Sequence, residues 1–241
     1  MAYTFESRVR FSEVDHTEQM TLPSLVNYFQ DCSTFQSEEL GLGINTLKER
    51  KKAWVLSSWQ IVVNRYPRFG ERISTATWAT GFDGFFGIRN FQMTDQEGQA
   101  AWANSVWIFM DIERGRPVRP LAQDVEAYGM EKPLEMEFAP RKIVLPKETL
   151  EQEGFAVRAD QIDTNEHVNN CQYIQMASEV MPECARSGQI RVEYRKSAVL
   201  GDRIYPKTAV ETDRKIVELC DAYGRPFAVI EFKENGQDGT R

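Results

Sequence analysis

Histidine is nearly missing from this sequence: among 241 residues only His16 and His167 occur. The four cysteines, Cys32, Cys171, Cys184 and Cys220, contain no Cys-x-x-Cys pair and no zinc-finger spacing. Neither a metal centre nor a disulfide scaffold is expected, and few, scattered thiols fit a reduced, cytoplasmic protein. Positive charge is short as well. Lys and Arg number 29 against 36 Asp and Glu, a net charge of −7, whereas a nucleic-acid binder carries a basic surface. No run of about 18 apolar residues occurs, and the first residues hold no apolar signal core, so neither a membrane span nor a cleaved leader is expected. Gly-x-Gly-x-x-Gly, Walker A, Gly-x-Ser-x-Gly and His-Glu-x-x-His are all absent. That disfavours nucleotide-cofactor, kinase, serine-hydrolase and zinc-protease chemistry, and no cofactor is expected.

What is present suits a folded protein. Apolar residues make up 41% of the chain and aromatics 11%, enough for a core. At roughly 150 residues per domain, the length fits one large domain or two small ones. Five of the ten prolines (Pro117, Pro120, Pro133, Pro140, Pro146) crowd the middle; proline removes a ladder donor, so this stretch reads as an extended connector. Its two flanks look alike, each a strand-like segment, a polar turn, a helix, then β-rich sequence. The first helix starts near Leu22-Pro23, buries a stripe of Leu25, Val26, Phe29, Cys32, Gln36 and Leu40, and stops at Gly41. The second follows Asn169-Asn170, with Asn170 as N-cap and Tyr173, Met176, Ala177 and Val180 on its apolar face. Strand-like runs include Trp54 to Val63, Ile73 to Thr80, Ala101 to Met110, Arg203 to Thr212 and Pro226 to Phe232.

The flanks are a repeat. Residues 9–20 align without a gap on 157–168, an offset of 148: Val9-Arg10 meets Val157-Arg158, Asp15 meets Asp163 and Glu18 meets Glu166. Gly70-Glu71-Arg72-Ile73 meets Gly201-Asp202-Arg203-Ile204 at an offset of 131, and the turn ending at Gly98 meets the one ending at Gly224 at 126. Three matches in the same order indicate a tandem duplication whose first copy has the longer helix and following loop. Each copy predicts one antiparallel sheet of about four strands wrapped around one helix, and two such sheets would join edge to edge, covering exposed strand edges.

The copies differ where chemistry could sit. The second reads Asp163-Thr164-Asn165-Glu166-His167-Val168-Asn169-Asn170, but in the first Asn165 and His167 become Thr17 and Gln19. That nominates the second copy as catalytic. Asp163 could activate a water or attack a carbonyl itself. His167 can move a proton near neutral pH, and Asn165 can orient the nucleophile or donate to a carbonyl oxygen. Free N–H groups at Asn169 and Asn170 could hold an oxyanion. The plain alternative is a capped turn with no chemistry. Cys171 at the helix start reads as a buried structural thiol before a nucleophile. All five tryptophans (Trp54, Trp59, Trp78, Trp102, Trp107) belong to the first copy, which suggests that it lines an apolar pocket while the second copy cleaves.

The segment Val157 to Tyr173, with its Asp163-x-Asn165-x-His167-Val168-Asn169-Asn170 core, resembles the active-site segment of hotdog-fold thioesterases. Together with Leu25 to Asp31, Ala53 to Ser57, Tyr66 to Glu71 and Arg116 to Pro120, it gives the chain a resemblance to the acyl-ACP thioesterase family, in its bacterial form, over residues 5–235. The resemblance implies an α+β double hotdog: residues 1–137 would bind the acyl chain and residues 138–241 would carry catalysis. It also implies a thioester hydrolase that releases free fatty acid from acyl carrier protein in fatty acid biosynthesis, with Asp163, Asn165 and His167 catalytic. The partner would be the acylated phosphopantetheine arm of the carrier, and a homodimer is compatible with this reading. A further carboxylate of the family does not carry over. Where the plant-type run reads Glu-Tyr-Arg-Arg-Glu-Cys, this chain has Glu193-Tyr194-Arg195-Lys196-Ser197-Ala198, so a cysteine–histidine mechanism cannot apply there. Glu193 and Ser197 are the candidates for a supporting role; because Glu193 would lie about 13 Å from Ser197 along a strand, Asp163 and His167 are expected to suffice, with a water held near Ser197.

Three other functions compete. The enoyl hydratases of the same fold have a motif resembling Asp-x-Asn-Pro-x-His, with one more residue before the histidine and a proline that this chain lacks. An acyl-CoA thioesterase would share the phosphopantetheine arm. A non-catalytic acyl-binding protein would keep the fold and lose turnover. An acidic carrier also needs a basic patch on a chain of net −7; Arg65, Arg68 and Arg72, or Arg141-Lys142 and Arg195-Lys196, are the candidates.

Overall fold

Alternate residues of the opening segment Tyr3–Arg8 (β1) are exposed and half-buried, the period of a strand with one face on a core. The structure, a computed structural model that describes residues 2–234, continues through helix α1 (Leu22–Glu39), helix α2 (Ile44–Glu49) and strands β2 (Lys52–Val63), β3 (Arg72–Asp83), β4 (Phe86–Asp95) and β5 (Gly98–Asp111). Next come β6 (Arg116–Pro117), helix α3 (Ala122–Tyr128), β7 (Leu150–Glu151), β8 (Phe155–Ala156) and helix α4 (Asn170–Val180). The chain finishes with β9 (Gln189–Tyr194), β10 (Arg203–Val210), β11 (Lys215–Cys220) and β12 (Pro226–Lys233). Each copy thus has one long helix followed by four antiparallel strands, the α+β double hotdog expected.

The strands form one sheet in the order β1-β3-β4-β5-β2-β9-β12-β11-β10-β7, with β6 on β5 and β8 on β10. Its centre is the antiparallel pair β2–β9, where Ser58 faces Glu193 and Val62 faces Gln189. The two units therefore meet edge to edge, and each removes the other's unpaired strand. Both long helices lie against the same core. Phe29 of α1, Trp59 of β2 and Phe91 of β4 pack with ring centroids 4.9–6.2 Å apart, in a cluster continuous with Ile174 of α4 and Phe227 of β12. Phe29 is fully buried there, so Phe29→Ala would cost about 3–5 kcal/mol.

Local chemistry sets the helix ends. Thr21 Oγ1 accepts from the Ser24 N–H at 3.3 Å, and Pro23 occupies the first turn of α1, where its missing donor costs nothing. Leu40, expected on the buried stripe, is the exposed C-terminal cap residue. For α4 the N-cap is Asn169 rather than Asn170, because Asn169 Oδ1 accepts the Cys171 N–H at 2.9 Å.

The proline-marked connector departs from expectation. It contains α3, and beyond that helix it runs as a strap over the sheet face opposite the long helices. Sheet side chains take up its backbone: Trp78 Nε1 donates to the Lys132 carbonyl, Asn90 Oδ1 accepts from Leu134 N–H, and Gln60 holds both Glu137 O and Ala139 N–H. Further along, Glu193 Oε2 accepts the Ile143 N–H at 2.9 Å, and Arg191 donates to the Lys142 carbonyl at 3.1 Å. A buried backbone without such partners would be costly, which explains why this outer face carries buried polar residues.

Candidate active site

The turn before α4 is closed by its own backbone. Asp163 N–H donates to the His167 carbonyl at 2.8 Å, Glu166 N–H to the Asp163 carbonyl at 3.1 Å, and Asn165 N–H to Asp163 Oδ1 at 2.8 Å. Ile162 and Val168 bridge its base. Val168 N–H then donates to the Ala198 carbonyl at 2.9 Å, while Ala198 N–H donates to the Tyr173 hydroxyl at 2.8 Å. That double tie sets Ser197 beside the turn and fixes both on α4.

The turn forms the polar end of a cavity of about 690 Å³. Asp163, Asn165, His167, Asn170 and Ser197 all line it. Most of the remainder belongs to the first unit: apolar side chains are Leu47 of α2, Trp54 and Leu56 of β2, Phe82 of β3, Ile88 of β4 and Trp107 of β5, and polar ones include Ser33, Ser37, Lys48, Lys52, Arg89 and Asp111. Asn165, His167 and Ser197 are exposed and Asp163 is half-buried, so these polar groups stand at the mouth and the apolar side chains of the first unit lie behind them. A carboxylate, an imidazole and an amide at the entrance of a largely apolar slot could act on a bond at the head of a chain. Of the five tryptophans, Trp54 and Trp107 line the slot; Trp59 is core and Trp78 faces the connector.

Two expectations are corrected. Asn169 N–H donates to the Gln161 carbonyl at 2.9 Å, so it cannot also hold an oxyanion; of the pair, only Asn170 lines the cavity. Glu193 does not reach the site. It is buried under the connector with its Oε2 shared by Ile143 N–H and Arg195 Nη2, at 2.9 and 3.0 Å. Although burial opposes it, these bonds keep its carboxyl below the usual range.

Cys171 is shut away. Burial pushes its thiol up to about 12, so at neutral pH it holds its proton and is no nucleophile. Among the described residues no group of three or more His, Cys, Asp or Glu side chains could hold a metal ion, and no helix is long and apolar enough to cross a membrane. The sequence reading missed Tyr128, which α3 brings into the cavity wall; its signal was the three-residue spacing from Val125 inside a stretch dominated by proline. It also missed Arg89, a buried cation in the same wall.

The basic candidates differ in availability. Arg65 is taken by Glu71, Asp95 and Glu97. Arg195 pairs with Glu193, and Lys196 lies 3.6 Å from Asp221. Arg72 and Lys142 enter no ion pair among the described residues.

Comparison with known proteins gives a consistent result. Residues 1–128 match the family model of the acyl-ACP thioesterase N-terminal domain, and residues 145–222 match that of the C-terminal domain. The chain is 27% identical over 233 residues to the chloroplastic acyl-[acyl-carrier-protein] hydrolase FATB3 of Cuphea viscosissima, covering 87% of this chain and 56% of that protein. To the chloroplastic palmitoyl-acyl carrier protein thioesterase of Cuphea hookeriana it is 25% identical, over 78% of this chain and 50% of that one. The chain thus spans about half the length of these curated relatives. Its fold matches the crystal structure of an acyl-ACP thioesterase from Bacteroides thetaiotaomicron with a TM-score of 0.86, at 24% identity and covering 96% and 97% of the two chains. A 12:0-ACP thioesterase from Umbellularia californica superimposes with a TM-score of 0.83 at 18% identity, over 96% of both chains.

Proposed function

Since the chain belongs to the acyl-ACP thioesterase family, we propose that it hydrolyses the thioester between a fatty acyl chain and acyl carrier protein, releasing the free acid. The observation that carries this reading is one cavity whose apolar walls come from the first unit and whose polar mouth comes from the second. The acyl chain enters the slot walled by Trp54, Leu56, Phe82 and Trp107, leaving its thioester carbonyl at the turn. The chain-binding unit is then residues 1–137 and the catalytic unit residues 138–241.

At the mouth, Asp163 supplies the carboxylate that activates a water or attacks the carbonyl, and its Oδ1 is held by the Asn165 N–H. His167 moves the proton to the leaving sulfur. The Asn165 side chain and the Asn170 N–H at the start of α4 are the donors offered to the developing oxyanion. Ser197, in the place of the family's strand carboxylate, holds a water. A carrier of negative charge would find Arg72 and Lys142 without an ion-pair partner among the described residues, and its arm would thread to the same mouth.

Steady-state hydrolysis of acyl-carrier-protein thioesters, beside matched acyl-CoAs, tests the proposal. Asp163→Asn and His167→Ala should each lower kcat about a hundredfold or more. Retention of most of the rate by Asp163→Asn would overturn the mechanism. Faster turnover of acyl-CoA than of every acyl-carrier-protein thioester would overturn the assignment of the partner.

A further inference from the structure

Arg89 is a charged residue where an acyl slot should have none. It sits on β4 with 8% of its surface exposed, in the wall of the cavity. Its Nη1 donates to Gln36 Oε1 and, at 3.2 Å, to Thr77 Oγ1. The guanidinium carbon lies 5.2 Å from the centre of the Tyr128 ring. Among the described residues, no carboxylate lies within ion-pair distance of it. A guanidinium has five N–H donors, and the two on Nη1 are used. Those on Nε and Nη2 have no protein acceptor among the described residues, although the residue is buried. Burial pulls its pKa below the ordinary value, yet a guanidinium stays protonated.

Its depth follows from α1. Cys171, at the start of α4, lies against Asn27 of α1, and Arg89 grips Gln36 of the same helix. Nine residues at 1.5 Å each put the guanidinium about 13 Å along α1 from the reactive end. A saturated chain reaching that depth would press methylenes against bare N–H donors, which is unfavourable. A chain carrying an oxygen there would satisfy them, most strongly through the paired donors of one guanidinium edge.

We propose that Arg89 is a specificity-determining residue whose free N–H groups bind an oxygen, hydroxyl or carboxylate, carried on the distal part of the acyl chain. The inference rests on the acyl-thioester reading of the site and adds a substrate class, oxygenated acyl chains, to it.

The test uses two matched series of acyl-carrier-protein thioesters of increasing length, one ending in a methyl group and the other in a hydroxyl or carboxylate. At the length that reaches Arg89, the oxygenated substrate should be preferred in kcat/KM by roughly ten- to a hundredfold. Arg89→Met should abolish that preference while leaving shorter chains unaffected, and Arg89→Lys should restore part of it. Should Arg89→Met fail to fold, the wild-type ratios alone decide. Calorimetric binding of matched fatty acids, with and without a terminal hydroxyl, reads the same contact without turnover. Equal or faster hydrolysis of the methyl-ended chain at every length, with no hydroxyl preference in binding, would overturn the inference. Absence of hydrolysis of any thioester, with the hydroxyl preference in binding intact, would overturn the proposed function and leave the Arg89 contact standing.

Discussion

Glu18 and Glu166, 148 residues apart, hold the same left-handed backbone conformation, with φ 62° at each. The bonds around them repeat as well. Asp15 N–H donates to the Gln19 carbonyl as Asp163 N–H does to that of His167, and Met20 N–H reaches the Pro67 carbonyl as Val168 N–H reaches that of Ala198. The duplication survives as hydrogen bonds even where side chains have changed, so one turn geometry carries the proposed catalytic set in one copy and a structural contact in the other.

A left-handed glutamate costs about 1–2 kcal/mol relative to glycine, partly offset by the freedom glycine gains when unfolded. The ion pair of Glu18 with Arg68 is exposed and 3.9 Å long, so losing it matters little. Glu18→Gly should therefore raise stability by about 0.5–1 kcal/mol in urea unfolding. A loss of stability would show that the turn is not strained.

In the first copy the turn carboxylate binds the second unit: Asp15 pairs with Arg186, which also donates to the Gln19 carbonyl. Burial alone would raise the Asp15 pKa, but bonds from Thr17 and Arg186 win and hold it at about 2. A depressed carboxyl stabilises above its unfolded value near 3.8, and that contribution fades as pH falls through the folded value near 2. Asp15→Asn should flatten the acid-unfolding profile in that window. Arg186→Ala should cost about 1–2 kcal/mol.

All four thiols are buried and raised, Cys32 and Cys171 to about 12 and Cys184 and Cys220 to about 11. In native protein at mild alkaline pH none should react with an aromatic disulfide reagent, and all should react after denaturation. Cys171→Ala should retain hydrolysis within about threefold and lose about 1 kcal/mol of stability. Loss of activity in this variant with the fold intact would return the thiol to the mechanism.

Glu193 bonds the connector to the sheet. Replacing it with alanine leaves the Ile143 N–H buried and Arg195 without its partner, at a cost of about 1–3 kcal/mol. Turnover at a temperature where the variant is folded should be unchanged. A selective fall in kcat would place Glu193 in the catalytic machinery after all.

Asn169 works through its cap. Asn169→Ala should destabilise by about 0.5–2 kcal/mol, whereas Asn169→Asp or Ser, which keep an acceptor, should recover most of it. If neither restored stability, the bond to Cys171 N–H would not be what Asn169 contributes.

The repeat, the two long helices, the α+β class and the second copy's polar turn were all legible in the order of residues, because each rests on local spacing or a fixed offset. Scarcity of histidine did part of that work: the repeat partner of His167 is Gln19, which singles out the turn proposed to be catalytic. Tertiary structure alone decided that Asn169 spends its N–H on Gln161, that Glu193 faces the connector, and that α3 inserts Tyr128 into the cavity. Strand parity shows which residues share a face but not what covers that face, and here the cover is a segment fifty residues away. Arg89 is the clearest case. In sequence it is one more cation on a strand, and only the folding of α1, β4 and α3 around it makes it a buried donor with bonds left to give.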